Sequence, residues 1–167
     1  MVFLFLLQLW RPFFFLTDDS LILYFPVWVG VGRDLWAGQD PWVSMYLFGG
    51  NYRLNQDAMF NGLWHPVTWL IALLEPTFLR NAMVDLMAMG NVLLAVTGFR
   101  WMSGKLMEAG LFRVSSRGAM FLSLSYGFSF YALHLGSSGL WYLANVAALP
   151  WMVGACWEKR ANALPGF

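Results

Sequence analysis

Two adjacent carboxylates, Asp18 and Asp19, stand between an apolar run that ends at Leu16 and another that opens at Ser20. A carboxylate at such a boundary can take the proton of an attacking hydroxyl as a general base, or hold a divalent cation such as Mg or Mn against a phosphate. The same stretch, Thr17-Asp18-Asp19-Ser20, also spells a helix N-cap with acids at the positive end of the dipole, and both readings stand. Arg53 and Arg80 carry guanidinium forks suited to bidentate capture of a phosphate, with headgroup contact and solvation as the plainer use of each. His65, beside Pro66 at the start of an apolar stretch, can act as acid, base or ligand, or simply as an interfacial residue; His134 has the same plain alternative. Asp85 falls one turn into an apolar run, where a carboxylate must face protein or water. The single cysteine, Cys156, excludes an internal disulfide and any multi-thiolate metal site; it reads as inert, with palmitoylation the alternative.

The elements that must hold these groups follow from composition. Of 167 residues, 59% are hydrophobic and 11% charged, against roughly 45–50% and about 25% in an ordinary soluble domain. Water is not the only solvent for such a chain. The formal charge of +1 offers no cationic excess to a phosphodiester backbone, which excludes nucleic acid as a main partner. Four runs, 1–16, 82–99, 118–134 and 140–157, are read as membrane helices, the first crossing if Arg11 snorkels. The first run lacks the basic start and small-residue cleavage site of a secretory signal. Residues 66–79 are too short and too broken by Glu75-Pro76 for a crossing, and predict an interfacial or re-entrant helix. A Gly/Ser turn at 135–139 folds the third and fourth spans into a hairpin.

Charge then sets the topology. Segments 100–117 and 158–167 carry Arg100, Lys105, Arg113, Arg117, Lys159 and Arg160, whereas residues 17–81 set Arg33, Arg53 and Arg80 against Asp18, Asp19, Asp34, Asp40, Asp57 and Glu75. The positive-inside rule places the N-terminus and basic segments in the cytoplasm and the acidic loop 17–81 outside a plasma (inner) membrane. Within that loop, residues 20–37 predict one or two juxtamembrane helices closed by a turn at Gly38-Gln39-Asp40-Pro41. Trp28, Trp36, Trp42, Trp64 and Trp69 fit chain lying along the headgroup belt. The four-residue spacing of Ala119, Ser123 and Gly127 lets neighbouring backbones approach closely.

The order of Asp18-Asp19, Leu23-Tyr24-Phe25-Pro26, Leu35-Trp36-Ala37-Gly38-Gln39-Asp40-Pro41-Trp42, Gly49-Gly50, Asn55 and His65-Pro66 resembles the first outer loop of YfhO-like membrane proteins of the GT-C glycosyltransferase superfamily. Ser125-Tyr126-Gly127-Phe128-Ser129 and Ala148-Leu149-Pro150-Trp151 resemble steps in their next helices, so the resemblance runs from about Thr17 to Arg160. His65 departs from the tyrosine or similar residue expected before the proline. The resemblance implies an all-α membrane protein of about four spans with a long outer loop of juxtamembrane helices. It also implies transfer of a sugar from a polyprenyl-phosphate donor to a glycan or lipid acceptor on the outer face. Asp18 and Asp19 match the loop carboxylate position as catalytic or cation-holding groups, with Tyr24, Arg53, Asn55, His65 and Arg80 as substrate-binding residues. Members of that superfamily are longer, with later helices completing the donor cavity, so the expectation is of an N-terminal portion inactive alone. The competing class is a non-catalytic membrane protein, an interaction subunit or a transporter piece; the repeats and mid-membrane helix breaks of a transporter are not found.

Overall fold

The computed structural model describes residues 6–7, 9–15, 25–40, 66–74, 78–138 and 140–163. Six helices are named: α1 (Phe25–Trp36), α2 (Pro66–Leu73), α3 (Phe78–Glu108), α4 (Ser116–Gly127), α5 (Phe130–Ser138) and α6 (Leu140–Ala163). The fold is all-α, with no strand among the described residues. The chain divides into two compact units, residues 1–87 with 137–141, and residues 88–136 with 142–167.

In the first unit, the N-terminal run turns early. Arg11 N–H closes a helical bond on Leu7 O at 2.8 Å, and Pro12 has no N–H with which to continue. Phe13 then adopts φ 59°, a left-handed conformation rare for an aromatic residue. The single helix expected over 1–16 therefore gives way to a turn at 11–15. What holds this turn is tertiary: Phe15 is fully buried and its N–H donates to Asp85 Oδ1 at 3.0 Å.

α1 carries Pro26 in its first turn, where a missing N–H costs nothing. It ends in a Schellman motif, with Gly38 N–H on Leu35 O, Gln39 N–H on Asp34 O, and Gly38 at φ 67°. This is the turn read from Gly38-Gln39-Asp40-Pro41. Val27, Trp28, Val31, Gly32 and Asp34 form the buried side of α1. α2 opens on Pro66 and has 8 residues, spanning only ~12 Å, in keeping with a helix that does not cross. The two helices meet where Gly32 lacks a side chain: a Cβ there would overlap the Ala72 carbonyl oxygen. Beside this crossing the Trp36 indole N–H donates to Leu73 O at 3.2 Å. Trp28, expected in the headgroup belt, is instead fully enclosed, while Trp36 stays exposed.

In the second unit, α4 runs antiparallel to α3. Arg100 reaches Ser116 at one end, and at the other Gly127 lies against Val92 O and the Val96 side chain. α6 runs parallel to α3, with Trp151 on Gly98, Trp101 on Gly154 and Lys105 on Glu158 in succession. Trp101 and Trp151 stack at 5.3 Å, each ring resting over the glycine beside its partner. The basic segments 100–117 and 158–163 thus share one end of this unit. α3 continues past the expected boundary at 99 as far as Glu108, stopped by Gly110 at φ 72°. The run 118–134 is not one helix. Phe128 N–H returns to Leu124 O, and the Ser129 hydroxyl accepts from Ala132 N–H to start α5, so a cap interrupts the apolar stretch.

Size is distributed inside out. Ala119, Ser123 and Gly127 form the buried stripe of α4, while Met120, Phe121 and Leu124 are exposed. Ala88, Val92 and Ala95 likewise form the buried side of α3, with Leu94 outside. Close backbone approach over small residues, with large apolar groups turned outward, is the packing style of helices surrounded by lipid. Pro150 sits inside α6 and cannot donate to Val146 O; the Tyr126 hydroxyl fills that vacancy at 2.8 Å. Asn91 Nδ2 and Ser103 Oγ are buried side-chain atoms without a hydrogen-bond partner.

Candidate functional site

Asp18, Asp19, Tyr24, Arg53, Asn55 and His65 lie outside the described residues, and Arg80 is described only as a backbone position in the first turn of α3. The described residues nearest to them in sequence belong to the first unit. Phe15 stands three residues before Asp18, and Asp85 five residues after Arg80. The Phe15 to Asp85 hydrogen bond joins positions 70 apart, and so clasps the two ends of the segment that carries every candidate site residue. Phe14 and Phe15 meet edge to face at 5.0 Å, and the Arg11 guanidinium lies 6.0 Å from the Phe14 ring centroid. Between the two ends of that segment, α1 and α2 pack at the Gly32 and Ala72 crossing.

Two acids are buried in this unit, Asp34 and Asp85. Asp85 was marked by its place in an apolar run, and the structure gives it a backbone donor. Asp34 was counted only as loop charge. It lies on the buried side of α1 and takes the Arg33 Nε and Nη2 at 3.3 Å, with the arginine mostly exposed, so the charge of Asp34 is partly offset from the solvent side. An acid within a helix whose other buried members are Val, Trp and Gly is the signal that could have singled it out. Thr68 on α2 is fully buried as well. Among the described residues, no three His, Cys, Asp or Glu come together as a metal-ligand set.

In the second unit His134 is exposed and stacks on Phe130 one turn earlier, at 5.5 Å with the ring planes nearly parallel. Cys156 is an exposed free thiol on α6. The two later stretches that carry the resemblance, around Tyr126 and around Pro150, are brought into contact by the bond from the Tyr126 hydroxyl to Val146 O. Among the described residues one helical segment, Asn81–Glu108 within α3, is long and apolar enough to cross a membrane by length and composition. Compared with family models, curated proteins and solved structures, the chain matches none.

Proposed function

We propose that the chain is a multi-pass membrane protein acting in lipid-linked glycosyl transfer, with residues 17–81 as an extracytoplasmic substrate loop and the N-terminus in the cytoplasm. The small-inside, large-outside packing of α3 and α4 supports a lipid environment for these helices. α6, with 24 residues and a span of ~36 Å, is a second crossing in this reading. The pair α4 and α5 is assigned the third, and the N-terminal run, its helix cut short by the turn at 11–15, is assigned the fourth. The observation that supports the functional part is the clasp between Phe15, three residues before Asp18 in the chain, and Asp85, five residues after Arg80.

The chemistry assigned to the loop is a substitution at the anomeric carbon. An acceptor hydroxyl forms the new C–O bond, its proton passes to Asp18 or Asp19, and the bond from sugar to polyprenyl phosphate breaks. Arg53 and Arg80 hold the phosphate that departs. The two aspartates are also the pair that would hold a divalent cation such as Mg or Mn. Tyr24, Asn55 and His65 contact the sugar donor or the glycan or lipid acceptor.

The test is sugar transfer from a labelled polyprenyl-phosphate donor in membranes containing the full-length protein, with Asp18→Asn and Asp19→Asn compared at equal insertion. At least one variant is expected to lose on the order of 10²–10⁴ in rate. Unchanged transfer in both would leave the acids as caps and defeat the proposal. A docking subunit is the second reading, favoured by the exposure of Trp36, Leu70 and Leu73 around the α1 and α2 crossing; it predicts normal membrane insertion with no transfer by the unaltered protein.

A further inference from the structure

We propose that the corner joining α3 to α4 is a binding surface for anionic phospholipid headgroups, an assignment that rests on the membrane reading above. Arg100 near the C-terminal end of α3 donates from Nη2 to Ser116 Oγ at 2.9 Å, which ties its guanidinium to the first residue of α4, next in sequence to Arg117. Arg113 lies in the short connection just before Ser115, the α4 N-cap, and both Arg113 and Arg117 are exposed. Three arginines therefore belong to one corner, Arg100 through its bond to Ser116, and Arg113 and Arg117 through their places on either side of Ser115 and Ser116 in the chain.

Neither acid of this unit is bonded to them. The acids of this unit are Glu108 and Glu158, and both engage Lys105, at 3.8 and 2.9 Å. Among the described residues, Arg100, Arg113 and Arg117 have no carboxylate partner; the one side chain bonded to any of them is the neutral Ser116. Like charges gathered without counterions repel one another, and a phosphate placed between them relieves that repulsion while matching the planar guanidinium fork.

The surroundings select a lipid rather than a free anion. Met120 and Phe121 follow Arg117 by three and four residues on the same side of α4, and both are exposed. Leu111 in the connection is exposed as well. The guanidiniums therefore sit where an exposed apolar belt meets water, the level at which a bilayer holds its headgroup phosphates.

The experiment titrates the purified whole chain, in detergent, with phosphatidylglycerol and separately with phosphatidylcholine, and reads bound lipid by native mass spectrometry. A preference for phosphatidylglycerol of roughly tenfold to a hundredfold is expected, as three cations near a headgroup would give. The combined Arg100→Gln, Arg113→Gln and Arg117→Gln variant is expected to bind both lipids about equally. The matching Arg→Lys triple keeps the charge and most of the preference, which separates lost charge from lost folding. Equal binding of the two lipids by the unaltered chain overturns the proposal, as does abolition of the preference by inorganic phosphate at constant ionic strength, which would mark a site for the soluble anion. Flotation of the chain with phosphatidylcholine vesicles after an alkaline wash is run in parallel. Failure to float refutes the membrane reading itself, whereas flotation without lipid preference refutes the headgroup surface alone.

Discussion

Replacing Gly32 by alanine tests the packing of the candidate loop at its tightest point. A Cβ at position 32 would overlap the Ala72 carbonyl oxygen and stand 2.7 Å from its carbon, short by roughly 1 Å of the ordinary ~3.5–4.0 Å contact. The obstacle is backbone within a helix, so α1 and α2 must separate. Overpacking of this kind costs about 1–3 kcal/mol, and an immovable neighbour puts Gly32→Ala at the upper end. Separation also stretches the Trp36 to Leu73 hydrogen bond, already 3.2 Å long, at a further cost of about 1 kcal/mol. Alanine returns about 1 kcal/mol in helix propensity. The net is a loss of about 2–3 kcal/mol, or roughly 4–12 °C in Tm for a chain of this size. Gly90→Ala is the internal control, since nothing lies within 4 Å of the point its methyl group would occupy and only the propensity gain remains. Thermal unfolding in a mild detergent reads both. A Gly32→Ala protein as stable as the parent, or a Gly90→Ala protein that loses stability as much, would refute the crossing.

Further outcomes follow from single contacts. Tyr126→Phe keeps the ring stacked 5.0 Å from Phe99 but leaves Val146 O without the donor that replaces the Pro150 N–H, so a loss of about 1–3 kcal/mol is expected in thermal unfolding. Asp85→Asn retains an acceptor for Phe15 N–H and is expected to unfold close to the parent, while Asp85→Leu strands that buried donor and loses about 1–3 kcal/mol; equal behaviour of the two would exclude the clasp. Asn91→Leu removes a buried amide nitrogen that has no acceptor and is expected to raise Tm, a gain that a hidden hydrogen bond would reverse.

Parts of this fold are visible in the chain because they depend on local chemistry. Gly38 and the polar residues after it end α1, Pro66 opens α2, and the Ala119, Ser123 and Gly127 stripe predicts the close approach that Gly127 makes to Val92. Other parts depend on partners far away in sequence. The run of phenylalanines at 13–15 has no turn residue to announce the reversal at Phe13, which is held by a carboxylate 70 positions beyond Phe15. Nor does the apolar stretch 118–134 betray its break, since Ser129 caps α5 in a context that reads as continuous helix. Pro150 reads as an interruption in isolation; Tyr126 makes it compatible with an unbroken α6. Of the site, Asp85 is legible as an acid in apolar surroundings, and its pairing with a backbone N–H is not. Asp34 hides among loop charges because burial of one side of α1 comes from packing with α2.

The proposed function requires the acidic loop and the basic helix ends to lie on opposite sides of one bilayer. Single cysteines placed at Asn55 and at Ala109, in a Cys156→Ser background, report this directly through a membrane-impermeant maleimide. The expected result is labelling of the Asn55→Cys protein in intact cells and of the Ala109→Cys protein only after permeabilisation. Labelling of both from one side, or of Ala109→Cys alone in intact cells, would contradict this arrangement.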